Sequence, residues 1–176
     1  MNKYKTLLLF TLFAMILMGC NHSRDEDSTV KISAQESVLK NQKEMTIIAN
    51  EFLINLNDEA EIYGEKSECP KIENLDKLFK DFSISSISVE KNKEFIGDEY
   101  ENRVVFYLND TPIDKEYDEC GIYYSPDNST IDYYGYAVEE DENGEYVYDG
   151  RPQKAEVTYK SKRICDNWFY FQEAVW

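Results

Sequence analysis

The sequence predicts an α+β domain in which two helices precede a run of antiparallel strands. Three observations carry this reading. Apolar residues recur at helical spacing between residues 33 and 56. From Ile84 onward the apolar period drops to two. Turn-forming pairs, among them Pro126-Asp127 and Asn143-Gly144, separate the later apolar runs.

Ser33 opens a Ser-Ala-Gln-Glu run with Glu36 three residues on, the pattern of a capping box. Val38, Met45, Ile48, Ala49, Phe52, Leu53 and Leu56 then share one helical face, and Asn57-Asp58 are expected to end the helix. A shorter helix follows Pro70, with Leu75, Leu78, Phe79 and Phe82 on one face and Asn74 as its cap. Ile87 and Val89 alternate with serines in the first long strand. Val104, Phe106 and Leu108 share a face of the next, with Val105 and Tyr107 on the other. Cys120, Ile122 and Tyr124 mark a third strand, and Tyr134, Tyr136 and Val138 a fourth. Asn143-Gly144 predicts a tight hairpin. Ala155, Val157 and Tyr159 alternate with polar residues, and a last strand from Ile164 to Gln172 is aromatic on both faces. The simplest assembly is a curved antiparallel meander wrapped around the long first helix, a single domain over residues 32–176.

The helix ending Phe52 to Asp58 (FLINLND), the order of elements and the terminal Asp166 to Phe171 run (DNWFYF) resemble the cystatin-like roll, in particular the nuclear transport factor 2-like superfamily. That resemblance implies a cone-shaped pocket between sheet and first helix. It does not imply one activity, because the superfamily hosts both enzymes and binding modules.

The chain starts with Lys3 and Lys5, an apolar stretch from Leu7 to Met18, and then Gly19-Cys20. These are the parts of a secretory signal, too short for a comfortable membrane span. With cysteine after the small residue, Leu17-Met18-Gly19-Cys20 resembles the lipobox of bacterial lipoproteins. The resemblance implies removal of residues 1–19, acylation of Cys20 and an extracytoplasmic, membrane-anchored domain. Asn21 implies outer-membrane sorting if the cell is Gram-negative. Residues 20–31 are polar and aperiodic, so a flexible tether is expected there.

Charge narrows the partners. The chain carries a formal net charge of −16, and loss of Lys3 and Lys5 with the signal moves it to −18. Nucleic acid and anionic headgroups would be repelled, whereas a basic protein or a cationic ligand is compatible. His22, the only histidine, falls in the expected tether, so imidazole-dependent catalysis is not expected and no catalytic residue is assigned. With no CxxC pair and no histidine in the domain, neither a metal nor another cofactor is expected. The acidic run from Glu139 to Glu145 lacks the ligand spacing of an EF-hand and reads as a solvated turn.

Cys69, Cys120 and Cys165 remain beyond the lipobox. In a meander, Cys120 and Cys165 would be at least two strands apart, beyond reach of a disulfide. A Cys69–Cys120 bridge is therefore expected, with three reduced thiols as the alternative. Tyr124, Tyr134, Tyr136, Trp168 and Tyr170 are the candidate ligand or partner surface. The competing reading is that these rings are ordinary cross-strand pairs. Together these features predict a lipid-anchored, non-enzymatic binding protein. The alternatives are an inhibitor or immunity-type protein that masks a basic toxin, and a small enzyme using an Asp or Tyr as acid–base.

Overall fold

A computed structural model describes residues 26–56, 60–91, 94–95, 98–99, 101–109, 117–150 and 156–176. Cys20 and His22, and with them the lipobox, lie outside the described residues, as do Asn57, Asp58 and Ala155. Helix α1 spans Glu26–Asn55. It begins seven residues before Ser33, so the expected capping box lies inside the helix, and residues 26–31 of the expected tether are helical. The apolar stripe read from the sequence is the buried one: Val38, Met45, Ile48, Ala49, Phe52, Leu53 and Leu56 all leave solvent, joined by Ala34. Helix α2 spans Leu75–Phe82 and buries Leu75, Leu78 and Phe82, while Phe79 is half-buried. Asn74 holds the N-cap position in a left-handed conformation (φ 64°), but its side chain makes no capping hydrogen bond. Lys77 on α2 pairs with Glu44 on α1 and ties the helices across their exposed side.

Seven strands form one antiparallel sheet: β1 (Ala60–Tyr63), β2 (Ile84–Glu90), β5 (Arg103–Leu108), β6 (Glu119–Tyr124), β9 (Glu145–Gly150), β10 (Val157–Cys165) and β11 (Trp168–Val175). Two short pairs stand apart, β3 (Glu94–Phe95) with β4 (Asp98–Glu99), and β7 (Thr130–Ile131) with β8 (Ala137–Val138). The spatial order of the main sheet is β1-β2-β5-β6-β11-β10-β9. The α+β class is therefore correct and the simple meander is not. After β6 the chain crosses to the far edge, and the last strand returns to the interior, between β6 and β10. The physical reason lies in Trp168-Phe169-Tyr170-Phe171. A strand apolar on both faces must be covered on both faces, which only an interior position provides. The predicted last strand also divides at Asp166-Asn167, where Asn167 turns with φ 68° and β10 pairs with β11.

Asn143-Gly144 does sit in a tight turn, with Gly144 at φ 71° and its N–H donated to the Asp141 carbonyl at 3.1 Å. The turn does not join two paired strands, because β8 pairs with β7 and β9 with β10. Residues 132–136 form a turn rather than the predicted fourth strand. The Asp132 carboxylate accepts the N–H groups of Tyr134 and Tyr136, each at 2.9 Å, and this local bonding displaces a ladder.

The sheet has a core on each side. Beneath α1 and α2 lie Ile87, Val89, Val104, Phe106, Cys120, Ile122, Tyr124, Trp168 and Tyr170. Phe106 stacks on Trp168 at 6.0 Å between centroids and meets Phe52 edge-on at 6.4 Å. The space between helix and sheet is thus filled by side chains. On the opposite, outer face a second core gathers Val105, Tyr123, Ile131, Tyr159, Phe169 and Phe171. Ile131 belongs to the β7–β8 pair, which lies over this face. Tyr123 accepts the Ile131 N–H at 3.0 Å, and Tyr159 donates to its carbonyl at 3.0 Å. Two phenols thereby satisfy a short strand that has little ladder of its own.

Candidate functional site

Strand alternation separates the predicted aromatic surface into two groups. Trp168 and Tyr170 share a face of β11 with Tyr124 of β6, and all three are buried under α1. Trp168 donates its indole N–H to Thr46 Oγ1 at 3.0 Å, and Tyr124 its hydroxyl to Asn50 Oδ1 at 3.4 Å. They hold the helix and cannot contact a partner, which corrects three of the five assigned residues. Tyr134 is exposed and Tyr136 half-buried beside the outer face. Tyr134 meets Tyr133 at 5.2 Å and Tyr148 at 5.8 Å, both edge to face, and its hydroxyl lies 3.4 Å from that of Tyr148.

The outer face also assembles groups that the sequence reading did not single out. In register across the middle strands, Glu90 of β2 opposes Arg103 of β5, and Glu119 of β6 opposes Glu173 of β11. Arg103 is bidentate to Glu90, with Nε at 2.9 Å from one oxygen and Nη2 at 3.2 Å from the other, and its Nη1 donates to the Asp132 carbonyl at 3.4 Å. The guanidinium therefore links the sheet to the segment above it. Tyr107 stands edge-on to Phe171 at 5.5 Å. Gly121 makes room for that arrangement: a Cβ there would lie 2.6 Å from the Phe171 ring and 2.4 Å from the Phe106 carbonyl.

Glu119 and Glu173 are a like-charged pair held face to face. Burial raises the Glu173 carboxyl to about 7, the Glu119 charge and the hydrogen bond between the two carboxyls add to this, and Arg103 opposes it. Glu173 therefore holds its proton to a higher pH than an ordinary carboxyl. Tyr107 is pushed up to about 12, first by burial and then by Glu173, so it stays a neutral phenol. Beside this pair a groove of about 400 Å³ runs between the ends of β1, β2, β5 and β6. Ile62 and Leu108 supply apolar walls, Ser86 and Tyr107 hydroxyl groups, and Glu119 with Asp118 an acidic end.

The acidic run is less solvated than expected. Glu140 binds Arg163 and Thr130, which lower its carboxyl below the ordinary value despite an opposing burial effect. Glu145 binds Lys160 at 3.0 Å and Lys162 at 2.7 Å. Asp141 accepts the N–H groups of Asn143 and Glu145. These carboxylates secure a turn. Asn128, directly after Pro126-Asp127, also turns with φ 59° and binds Arg163 and the Asn167 N–H through its side chain.

The Cys69–Cys120 bridge is not formed: none of Cys69, Cys120 and Cys165 is in a disulfide. Cys120 is buried under the helices, whereas Cys69 ends the 3-10 turn Lys66–Glu68 and donates to the Glu65 carbonyl at 3.7 Å. Burial raises the Cys69 thiol to about 11, which keeps it protonated and poorly nucleophilic. Cys165 pairs with Trp168 in register and Cys120 with Gln172, so a single strand, β11, separates them laterally. They remain four residues apart along it, beyond disulfide reach.

Fold and site together define an α+β domain whose helix-covered face is filled and whose outer face carries aromatic, acidic and hydroxyl groups around a groove. No family model, curated protein or solved structure matches the chain.

Proposed function

We propose that this is a lipid-anchored, extracytoplasmic binding protein that engages a basic partner or cationic ligand through the outer face of its sheet. The observation that carries the reading is an open groove lined by Ile62, Tyr107 and Glu119, with Glu173 paired to Glu119 across the neighbouring strand and the exposed Tyr134–Tyr148 pair elsewhere on the same outer side. Rigid phenols with one wet edge are good contact residues, and a chain of charge −16 favours positive partners. Attachment through acylated Cys20 accounts for the N-terminal signal, two or more acyl chains giving a stable anchor. The resemblance to the cystatin-like roll enters at this level too, supported by a long helix lying on an antiparallel sheet that ends in an aromatic strand. An inhibitor or immunity-type protein that masks a basic toxin is the narrower form of the same reading.

Site-specific photo-crosslinking tests it. A benzoylphenylalanine at position 134, on the outer face, is expected to capture a basic envelope protein, and capture should fall in the Glu119→Gln chain. The same probe at position 39, exposed on α1 across the sheet, should not capture it. Equal capture from both positions, or none from 134, overturns the proposal. Cys20→Ala should abolish lipid labelling; unchanged labelling would remove the anchor from the account.

One observation favours a second reading, an enzyme with Glu173 as acid–base, because a carboxyl poised near neutrality beside a groove is the environment such chemistry requires. Turnover by the purified chain that disappears in Glu173→Gln would select this reading, and activity that survives would reject it.

A further inference from the structure

We infer that the groove between β1, β2, β5 and β6 is a receptor for a single lysine side chain of the partner, its aliphatic stem lying along Ile62, Tyr107 and Leu108 and its ammonium group meeting Glu119 beside Glu173. This deepens the binding function proposed above and rests on it. The argument is one of matched polarity. The groove is bipolar: two aliphatic side chains and an aromatic ring line it, and carboxylates stand at its end. Ile62 is 72 % exposed, so this wall is open to a ligand. A lysine is bipolar in the same sense, a four-carbon stem that favours apolar cover and a compact charge that does not. The volume, about 400 Å³, lies in the range of small ligand sites and exceeds what one side chain needs, leaving room for the backbone that carries it. Ser86 and Tyr107 offer hydroxyl oxygens to the remaining ammonium protons.

The neighbouring charges make the ammonium group the better fit over a neutral tip. Glu173 is faced by Glu119 from β6, Arg103 and Tyr107 from β5, Tyr159 from β10 and Tyr133 from the segment between β7 and β8. Glu90 of β2 stands behind Arg103 and occupies it. Among the described residues Arg103 is the cation beside Glu173 and leaves the Glu119–Glu173 pair only partly neutralised, and a second cation completes the balance. The entering ammonium favours ionisation of Glu173, so lysine binding and proton release are linked.

The test uses the pentapeptide acetyl-Gly-Gly-Lys-Gly-Gly-amide as probe and two-dimensional amide NMR as readout. The amides of Ser86, Ser88, Tyr107 and Glu119 are expected to shift on titration. The Nε-acetylated peptide should bind at least tenfold more weakly, and Glu119→Gln should weaken the lysine peptide to the same degree. Glu142→Gln, an exposed carboxylate in the turn before β9, should leave affinity within twofold and controls for net charge. Calorimetry in buffers of different ionisation enthalpy should read about half a proton released per peptide at pH 7. Equal binding of the acetylated peptide, unchanged affinity in Glu119→Gln, shifts confined to other surfaces, or no shift at all would each overturn the inference. Loss of the groove site with crosslinking from position 134 intact rejects this inference alone, whereas loss of both rejects the binding function itself.

Discussion

Replacing Glu173 with glutamine should change how the stability of the domain depends on pH, and the magnitude follows from the position of that side chain. Glu173 sits between β6 and β10 on the outer face, largely buried and opposite Glu119, and its carboxyl is raised from an ordinary value of 4.5 to about 7. Between those values the folded chain holds a proton that the unfolded chain has released. Stability from this group is therefore fully present below pH 4.5 and is lost as pH rises through about 7. At about 1.4 kcal/mol for each pH unit, the interval sets a ceiling of about 3 kcal/mol. Glutamine keeps the shape, cannot ionise and still donates to Glu119. Urea unfolding at pH 5 and pH 8.5 should show the variant gaining on the parent by about 2–3 kcal/mol across that range. Acids with lowered values, such as Glu140 and Asp141, act at lower pH and are common to both chains. A difference between the two chains that stays flat within 0.5 kcal/mol from pH 5 to pH 8.5 (roughly the resolution of such extrapolations) would refute the reasoning.

Other perturbations follow from the two cores. Gly121→Ala forces a methyl group into the Phe171 ring and the Phe106 carbonyl, and should lower stability by about 1–3 kcal/mol in urea unfolding. Tyr123→Phe removes the oxygen that accepts the Ile131 N–H and meets Ser161 Oγ at 2.8 Å. The lost bonds should cost about 1–3 kcal/mol, and hydrogen exchange at Ile131 should speed up accordingly. Phe52→Ala opens a cavity between Phe106 and Tyr63 and should destabilise by about 3–5 kcal/mol, measured by the urea midpoint. Because none of Cys69, Cys120 and Cys165 is in a disulfide, dithiothreitol should not shift the melting temperature, and denatured protein should titrate with all three thiols.

Much of the fold was legible because local periodicity and global packing agree. Every residue assigned to the first helix face, from Val38 to Leu56, is buried, since a 3.6-residue repeat has only one side to offer a core. The strand segments 87–90, 103–108 and 119–124 likewise face as alternation requires, whereas a register shift between Ile84 and Ser86 turns Ile84 to the same side as Ile87. The site was less legible. Tyr124, Trp168 and Tyr170 are aromatic like Tyr107 and Tyr123, and only strand parity tells the helix-covered side from the outer one. A parity signal was present: Tyr107 falls opposite Val104 and Phe106, and Glu173 follows Phe169 and Phe171 at even spacing. Nothing local marks Glu119 and Glu173 as neighbours, because 54 positions of chain separate them and their pairing depends on where β11 enters the sheet.

The sequence by itself determined the helices, the strand faces, the acidic character of the domain and the absence of imidazole from residues 23–176. Those properties follow from spacing and composition, which survive any arrangement of the elements. Tertiary structure decided the rest: that β11 lies inside the sheet between β6 and β10, that the space under α1 is filled by Trp168 and Tyr170, and that Glu173 meets Glu119. The choice was made by burial of both faces of Trp168–Phe171, an energy that exists only once other strands and α1 are in place. The same step that buries those aromatics brings two carboxyls together on the outer face and makes Glu173 hold its proton.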